Sequence, residues 1–352
     1  MDHRFPPAAA RRLAAAVCAL ALAASACGCH RATGTDPLPQ WTAPAATGSV
    51  PLPPGAHFEP ASGHPSPMPE ALGPGSGSAA LDGRSPAERV PHIFARGRLI
   101  VGVDQSQHLL SFRDPSTGQL AGFEIDVAEA IAEDIFGEPG HIEFRFVDST
   151  DRVAALKEGR VDIVVRTMTV TPQREQEVLF STPYFMARTR LLSVEKNHIT
   201  TIDDLTGKTV CVAEGSTSLQ LARAVAYNSR ILKVKNWADC LVALQQAQAD
   251  AVMTDDTVLS GIAAQDPYTK ITGPTLADGY YAVAVAPPTR LVDTVGVIMQ
   301  VNSTIERIRS DGTWWQMFNR WLAPYQQTVG PPPLNYRHPA PGKTQPTGGD
   351  RR

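Results

Sequence analysis

The chain has 352 residues, 43% of them hydrophobic, and its 32 Lys and Arg against 35 Asp and Glu give a formal net charge of -3. That length allows one large or two medium domains with a real core, and the charge balance argues against nucleic acid as a partner. Beyond the N-terminal segment no stretch is apolar enough to span a bilayer.

Arg4, Arg11 and Arg12 precede an Ala/Leu-rich stretch at residues 13–24. A positive region followed by roughly a dozen apolar residues reads as a signal peptide, too short for a stable span. The stretch closes on Ala24-Ser25-Ala26-Cys27, which resembles a bacterial lipobox, although Ala24 stands where a large aliphatic is usual. The resemblance implies removal of residues 1–26 and lipidation at Cys27, which would hold the protein to the outer face of the cell membrane. An ordinary secretory cleavage is the alternative. Residues 27–90 are rich in Pro, Gly, Ser and Ala without apolar periodicity, so the expectation is a disordered tether. A second Pro-rich stretch, 327–352, is expected to be a disordered tail.

Strands and helices alternate between these ends. Residues 99–103, 142–147 and 161–165 read as strands, and 123–136 and 152–158 as helices. After an apolar run at 191–194 a second set follows, with strands at 209–213, 231–235 and 249–253 and helices at 218–226, 238–246 and 257–264. A strand at 280–285 and helices at 291–310 and 313–321 complete the chain. The alternation predicts parallel α/β sheets. Two such sets, a return strand and terminal helices predict two lobes with crossings near 187–192 and 281–286. Lobe one would hold 91–187 plus 286–326, and lobe two 188–285. Trp314, Trp315 and Trp321 are spaced like one helix face and are expected to pack lobe one.

Cys18 would leave with the signal and Cys29 lies in the tether, so Cys211 and Cys240 are the cysteines of the folded part. In an exported chain the expectation is a disulfide between them, worth roughly 3–4 kcal/mol on the chain-entropy view, against two separate buried thiols. No histidine lies near either cysteine, and His108, His141 and His198 show no ligand spacing. Neither a metal nor a cofactor is expected.

The 161–165 strand runs into Arg166-Thr167-Met168-Thr169 and on to Arg174, and hydroxyls with a guanidinium at a strand end are poised to hold a carboxylate. Glu214-Gly215-Ser216-Thr217 lies between a strand and a helix start, where free N–H groups attract an anion; plain helix capping needs the same residue types. Asp255, directly after a strand, and Asp104, after another, offer carboxylates to an ammonium group. Asp256 could instead cap the helix that follows.

Gly122-Phe123-Glu124-Ile125-Asp126, taken with the run from Arg166 to Arg174, resembles the extracellular solute-binding proteins of amino-acid ABC importers. The likeness covers about 95–325 and implies the type II periplasmic binding fold, two α/β lobes that close on a ligand about two hinge segments. It implies that Arg174, with Thr167 and Thr169, takes the α-carboxylate. Thr217 is a better match than Ser216 to the family's Gly-Thr-Thr-type loop, and Asp255 stands where the family places an aspartate, with Asp104 its counterpart in lobe one. Where relatives carry an aromatic lid and Pro-Phe, this chain has Gln105 to Phe112, which leaves the lid open among Gln107, His108 and Leu109. Arg152 sits where glutamate/aspartate binders carry Asn-Arg-Ile-Pro, and Arg166 is a second unusual cation. Two surplus guanidiniums would favour glutamate or aspartate over glutamine. The implied protein is an extracytoplasmic monomer without catalytic residues that delivers an amino acid to an ABC permease. A membrane sensor as partner is the alternative. An exported prephenate or arogenate dehydratase, with Glu214 or Glu124 as acid or base, is less favoured.

Overall fold

The computed structural model describes residues 50–70, 73–289 and 293–337; the expected signal peptide, Cys27, Cys29 and the tail beyond residue 337 lie outside them. Two large sheets organise the described residues, beside a small three-stranded one of Ser106–Gln107, Ser111–Arg113 and Leu120–Ala121. In the first the order is Ile142–Phe146, Leu99–Val103, Ile163–Val164, Ala284–Val285, Leu179–Phe180. Its first three strands are parallel, and Ala284–Val285 returns antiparallel between Ile163–Val164 and Leu179–Phe180. Leu99–Val103 is buried at all five positions, as its unbroken apolar run requires of a central parallel strand.

The second sheet runs His57–Glu59, Arg230–Val234, Thr209–Ala213, Ala251–Asp255, Phe185–Val194, Thr269–Tyr281. Phe185–Val194 and Thr269–Tyr281 pair antiparallel from Thr269↔Val194 to Tyr281↔Phe185 and form the double connection between the lobes. Here the lobe boundary differs from the expected one. The apolar run at 280–285 reads as one strand, yet Tyr280 and Tyr281 pair with Met186 and Phe185, whereas Ala284 and Val285 pair with Val164 and Ile163. Ala284 and Val285 therefore belong to lobe one. Side-chain pattern cannot reveal a change of pairing partner within an apolar run.

The helix Phe123–Phe136 starts on Gly122, whose φ of 128° and closeness to Leu110 O (2.3 Å from where a Cβ would stand) admit no other residue without displacement. Its Phe123 joins Phe185, Trp314 and Phe318 in an aromatic cluster beside the hinge, with Trp314 and Phe318 stacked at 5.4 Å. Trp314 is buried, and its Nε1 donates to Tyr184 O at 2.8 Å. Trp315 is 41% exposed, and Trp321 donates to Asp126 Oδ2 at 2.8 Å. The three indoles therefore do not share one buried face. Cys211 and Cys240 are joined in a disulfide, Cα atoms 5.6 Å apart, which fastens Thr209–Ala213 to the helix Trp237–Gln245.

The expected tether and tail need correction over their described parts. His57–Glu59 is an edge strand of the second sheet, Pro86–Arg89 is helical, and Tyr336 bridges to Ser78 while its hydroxyl donates to Glu306 at 2.5 Å. These segments are held by backbone hydrogen bonds and ion pairs together with scattered apolar contacts, Leu52, Ala56, Ala79 and Val90 packing on the core without a regular period. A periodicity argument has nothing to register there. Among the described residues no helix is long and apolar enough to cross a membrane.

Candidate functional site

The lobe-one wall is the loop that follows Ile163–Val164. Thr171 caps the one-turn helix Pro172–Glu175 by accepting from Arg174 N at 3.1 Å. That turn places the Arg174 guanidinium against the loop, where Nη1 donates to Thr169 O at 2.7 Å. Arg152 opens the helix Arg152–Lys157 and is almost wholly buried. Its Nε donates to Ser149 O at 2.9 Å and its Nη1 to Arg166 O at 3.2 Å. Both guanidiniums then reach across to lobe two and share one acceptor, Gly215 O, at 2.9 Å from Arg174 and 3.2 Å from Arg152. A carbonyl carries no net charge, so burial lowers Arg174 to about 10, against the pull of Asp255. Burial lowers Arg152 well below its ordinary value, and the neighbouring Arg174 and Arg166 add to the shift.

Gly215 is the point of closest approach. At φ 68° a Cβ there would stand 3.1–3.2 Å from Thr150 and Ser149 O, so only glycine lets the two walls meet without displacement. Ser216 caps the helix Thr217–Val225, its Oγ accepting from Leu219 N at 3.2 Å and donating to Ala213 O at 2.6 Å. Both Ser216 and Thr217 line the cavity, but the Ser216 hydroxyl is engaged in capping, whereas Thr217 stands at the first helical position. Asp255, at the end of Ala251–Asp255, accepts from Thr189 Oγ1 at 2.9 Å and from Tyr281 OH at 2.6 Å. Two hydroxyls leave half of its lone-pair sites open. Burial raises its pKa. Asp256 accepts from Arg188 N at 3.1 Å, and burial lifts it to about 6.

The structure separates two expected ligand groups from the rest. Arg166 and Asp104 form an ion pair with side chains 1% and 0% exposed, and neither lines the cavity. Asp104 Oδ1 also accepts from Gln105 N, Ser106 N and Ser106 Oγ at 2.7–2.8 Å. A buried guanidinium is costly without a counter-charge, and Asp104 supplies it. Asp104 thus offers no free oxygen to an ammonium, and Arg166 no surplus charge. Of the expected lid residues none lines the inner cavity, but Gln107 Nε2 lies 3.5 Å from Thr167 Oγ1 and its Oε1 is buried without a partner.

The cavity joins Arg152, Thr167, Thr169 and Arg174 of lobe one to Thr217 and Asp255 of lobe two. Its inner part is narrow, about 20 Å³, and widens to about 590 Å³ at the mouth. The inner space suits about one water. A larger guest fits only when the two arginines release Gly215 and the lobes part. Trp237, Thr254 and Tyr281 also line it. Trp237 opens the helix Trp237–Gln245, Thr254 is next to last in Ala251–Asp255 and Tyr281 ends Thr269–Tyr281, positions that no motif marks.

Behind the wall, Glu124 is fully buried and holds the loop in place. Its Oε1 accepts from Thr167 N and from Tyr184 OH, both at 2.5 Å, while Oε2 has no partner. Thr167 needs this support, because its φ of 39° is unusual for a β-branched residue. Burial pushes Glu124 up to about 7. Between about pH 4.5 and 7 the folded protein keeps a proton that the unfolded chain has lost, so stability falls as pH rises through that window. Urea unfolding across it should show the native protein losing about 3 kcal/mol relative to Glu124→Gln. A constant difference between the two would refute the assignment. Neither Glu124 nor Glu214 lines the inner cavity, and Glu214 pairs instead with His57 at 3.3 Å.

Two α/β lobes on a double antiparallel connection, with charged groups from both walls facing one cleft, define a binding protein of the type II periplasmic fold. Residues 99–324 match the bacterial extracellular solute-binding proteins, family 3, and the chain belongs to that family. It is 39% identical to a glutamine-binding protein of Geobacillus stearothermophilus over 199 residues, 56% of this chain and 76% of the relative. It is 26% identical to the glutamate-binding protein GluB of Corynebacterium efficiens over 245 residues, 66% of this chain and 81% of the relative. A solved structure of an ancestral arginine-binding protein bound to glutamine superposes with a TM-score of 0.59 at 33% identity, covering 64% of this chain and 98% of that one.

Proposed function

We propose that the chain binds a polar amino acid between its lobes, outside the cytoplasmic membrane, and passes it to an ABC importer, held at the membrane by lipid on Cys27. The observation that carries this reading is the charge of the cavity wall: two arginines, Arg152 and Arg174, and one aspartate, Asp255. The α-carboxylate replaces Gly215 O on Arg174, with the Thr167 and Thr169 hydroxyls and the helix start at Thr217 as further donors. The α-ammonium goes to the open lone pairs of Asp255. The names of the relatives, glutamine-binding and glutamate-binding, fit such a site. Among the described residues Asp255 is the one carboxylate that lines the inner cavity, and no histidine does, which supports holding over chemistry.

With Asp255 ionised the wall carries one uncompensated positive charge. A ligand with a neutral side chain leaves it in place, whereas a second carboxylate removes it. The reading therefore favours glutamate or aspartate over glutamine, on Arg152 alone now that Arg166 is paired with Asp104. Calorimetric titration with glutamate, aspartate and glutamine tests it, and tighter glutamine binding would end the acidic preference. Arg152→Ala should weaken glutamate by roughly 2–3 kcal/mol, or about 30- to 150-fold, and glutamine by much less. Equal losses for the two ligands would move Arg152 from selecting the side chain to supporting the wall.

A further inference from the structure

We propose that the segments 57–70 and 73–79 act together as a strap that ties the two lobes to each other at the mouth of the cleft and sets how fast a ligand enters and leaves. The proposal rests on the cleft being the ligand site. One end of the strap is built into lobe two. His57–Glu59 pairs with Arg230–Val234, and the Glu59 carboxylate receives Arg223 Nε and Nη2 at 2.8 and 2.6 Å and pairs with Lys233 at 3.1 Å. Gly63 N donates to Tyr227 O at 3.1 Å and Ser66 N to Arg223 O at 3.0 Å. Arg223 and Lys233 hold Glu59 ionised, at about 2.

The other end is built into lobe one. Glu175 Oε1 accepts from Ser76 N at 2.7 Å and from Ser76 Oγ at 2.8 Å. Ser78 Oγ donates to Phe180 O, and Asn302 Nδ2 to Ala79 O, both at 2.8 Å. Gly75 lies so close that a Cβ would stand 2.6 Å from Val170 Cγ1. The C-terminal segment clamps this end from outside, with Asn335 Nδ2 donating to Pro74 O and Arg337 N to Ser78 O at 2.9 Å.

Between the two anchorages Pro69 and Glu70 line the mouth of the cleft, on the same cavity as Arg152 and Arg174. Glu175 adjoins Arg174 on the one-turn helix, so the lobe-one anchor is built on the element that carries the guanidinium. A chain from Ser66 to Ser76 reaches at most roughly 35 Å when fully extended, so the strap limits the parting of the lobes without forbidding it. Any ligand passes under it or waits for one anchor to release. The anchors are charge-assisted hydrogen bonds and strand pairing, stronger than ordinary surface contacts.

The test uses the full-length chain with residues 67–70 replaced by the recognition sequence of a site-specific protease, compared uncut and cut. Dyes on noncanonical residues at positions 146 and 268, where Phe146 of lobe one is 44% and Tyr268 of lobe two 76% exposed, report the distance between lobes. Cutting should lengthen that distance in ligand-free protein. In stopped-flow with L-glutamate and L-glutamine, association and dissociation should both rise about tenfold, with the dissociation constant moving less than about threefold. Glu59→Ala combined with Glu175→Ala, which weakens both anchors without a cut, should change distance and rates in the same direction. If distance and rates stay the same in both the cut and the double-variant proteins, the strap is overturned. Because the distance is read without ligand, failure of either amino acid to bind would count against the proposed function and leave the strap to be judged on distance.

Discussion

Arg174→Ala is expected to weaken glutamate, aspartate and glutamine alike, by about 3–4 kcal/mol, or roughly two to three orders of magnitude in dissociation constant. The α-carboxylate is common to every amino acid, so the loss is indifferent to the side chain, unlike that of Arg152→Ala. The thermal midpoint of the ligand-free protein should move little. Arg174 stands on a one-turn helix none of whose residues is fully buried, and the partners of its guanidinium are two carbonyls, Thr169 O and Gly215 O. Calorimetry with the three ligands and a thermal scan together check this. Glutamate affinity within about threefold of the unaltered protein would remove Arg174 from the site.

Trp314→Ala is expected to cost the fold about 3–5 kcal/mol, the range for removal of a large aromatic from a packed core. Trp314 is 1% exposed and stacks on Phe318 at 5.4 Å and on Phe185 at 5.9 Å, with the edge of Phe123 at 5.9 Å. Its Nε1–H also satisfies Tyr184 O, which the substitution would leave without that donor. Phe185 begins one of the two strands that connect the lobes, so the damage falls at the hinge as well as in lobe one. Urea unfolding measures the loss. A change below about 1 kcal/mol would show that the cluster repacks around the gap.

The parts of the site that could be read from the sequence are those whose chemistry follows from local order. A strand that ends in threonines and an arginine, a Gly-Ser-Thr helix start and an aspartate at a strand end are short-range patterns, and Arg174, Thr217 and Asp255 face one cavity. Asp104 and Arg166 obeyed the same local grammar and went elsewhere. They stand 62 residues apart and neutralise each other, a pairing that depends on which strands lie side by side. Glu124 stands in the sequence only as part of the 122–126 motif and as a candidate acid or base, and its hold on Thr167 N, 43 residues away, is likewise a matter of packing.

Local composition and periodicity in this chain determined the alternating α/β elements, the apolar central strands, the two candidate cysteines and the guanidinium, hydroxyl and carboxylate types available to a ligand. Each depends on residues a few positions apart, where side-chain direction follows from backbone geometry. Only the tertiary structure decided which charges meet, where the apolar run at 280–285 changes sheets, and that parts of the Pro- and Gly-rich stretch pair with one lobe at His57–Glu59 and with the other at Ser76 and Ser78. Those outcomes rest on contacts between residues scores of positions apart, made by backbone hydrogen bonds and buried charge that leave no period in the sequence.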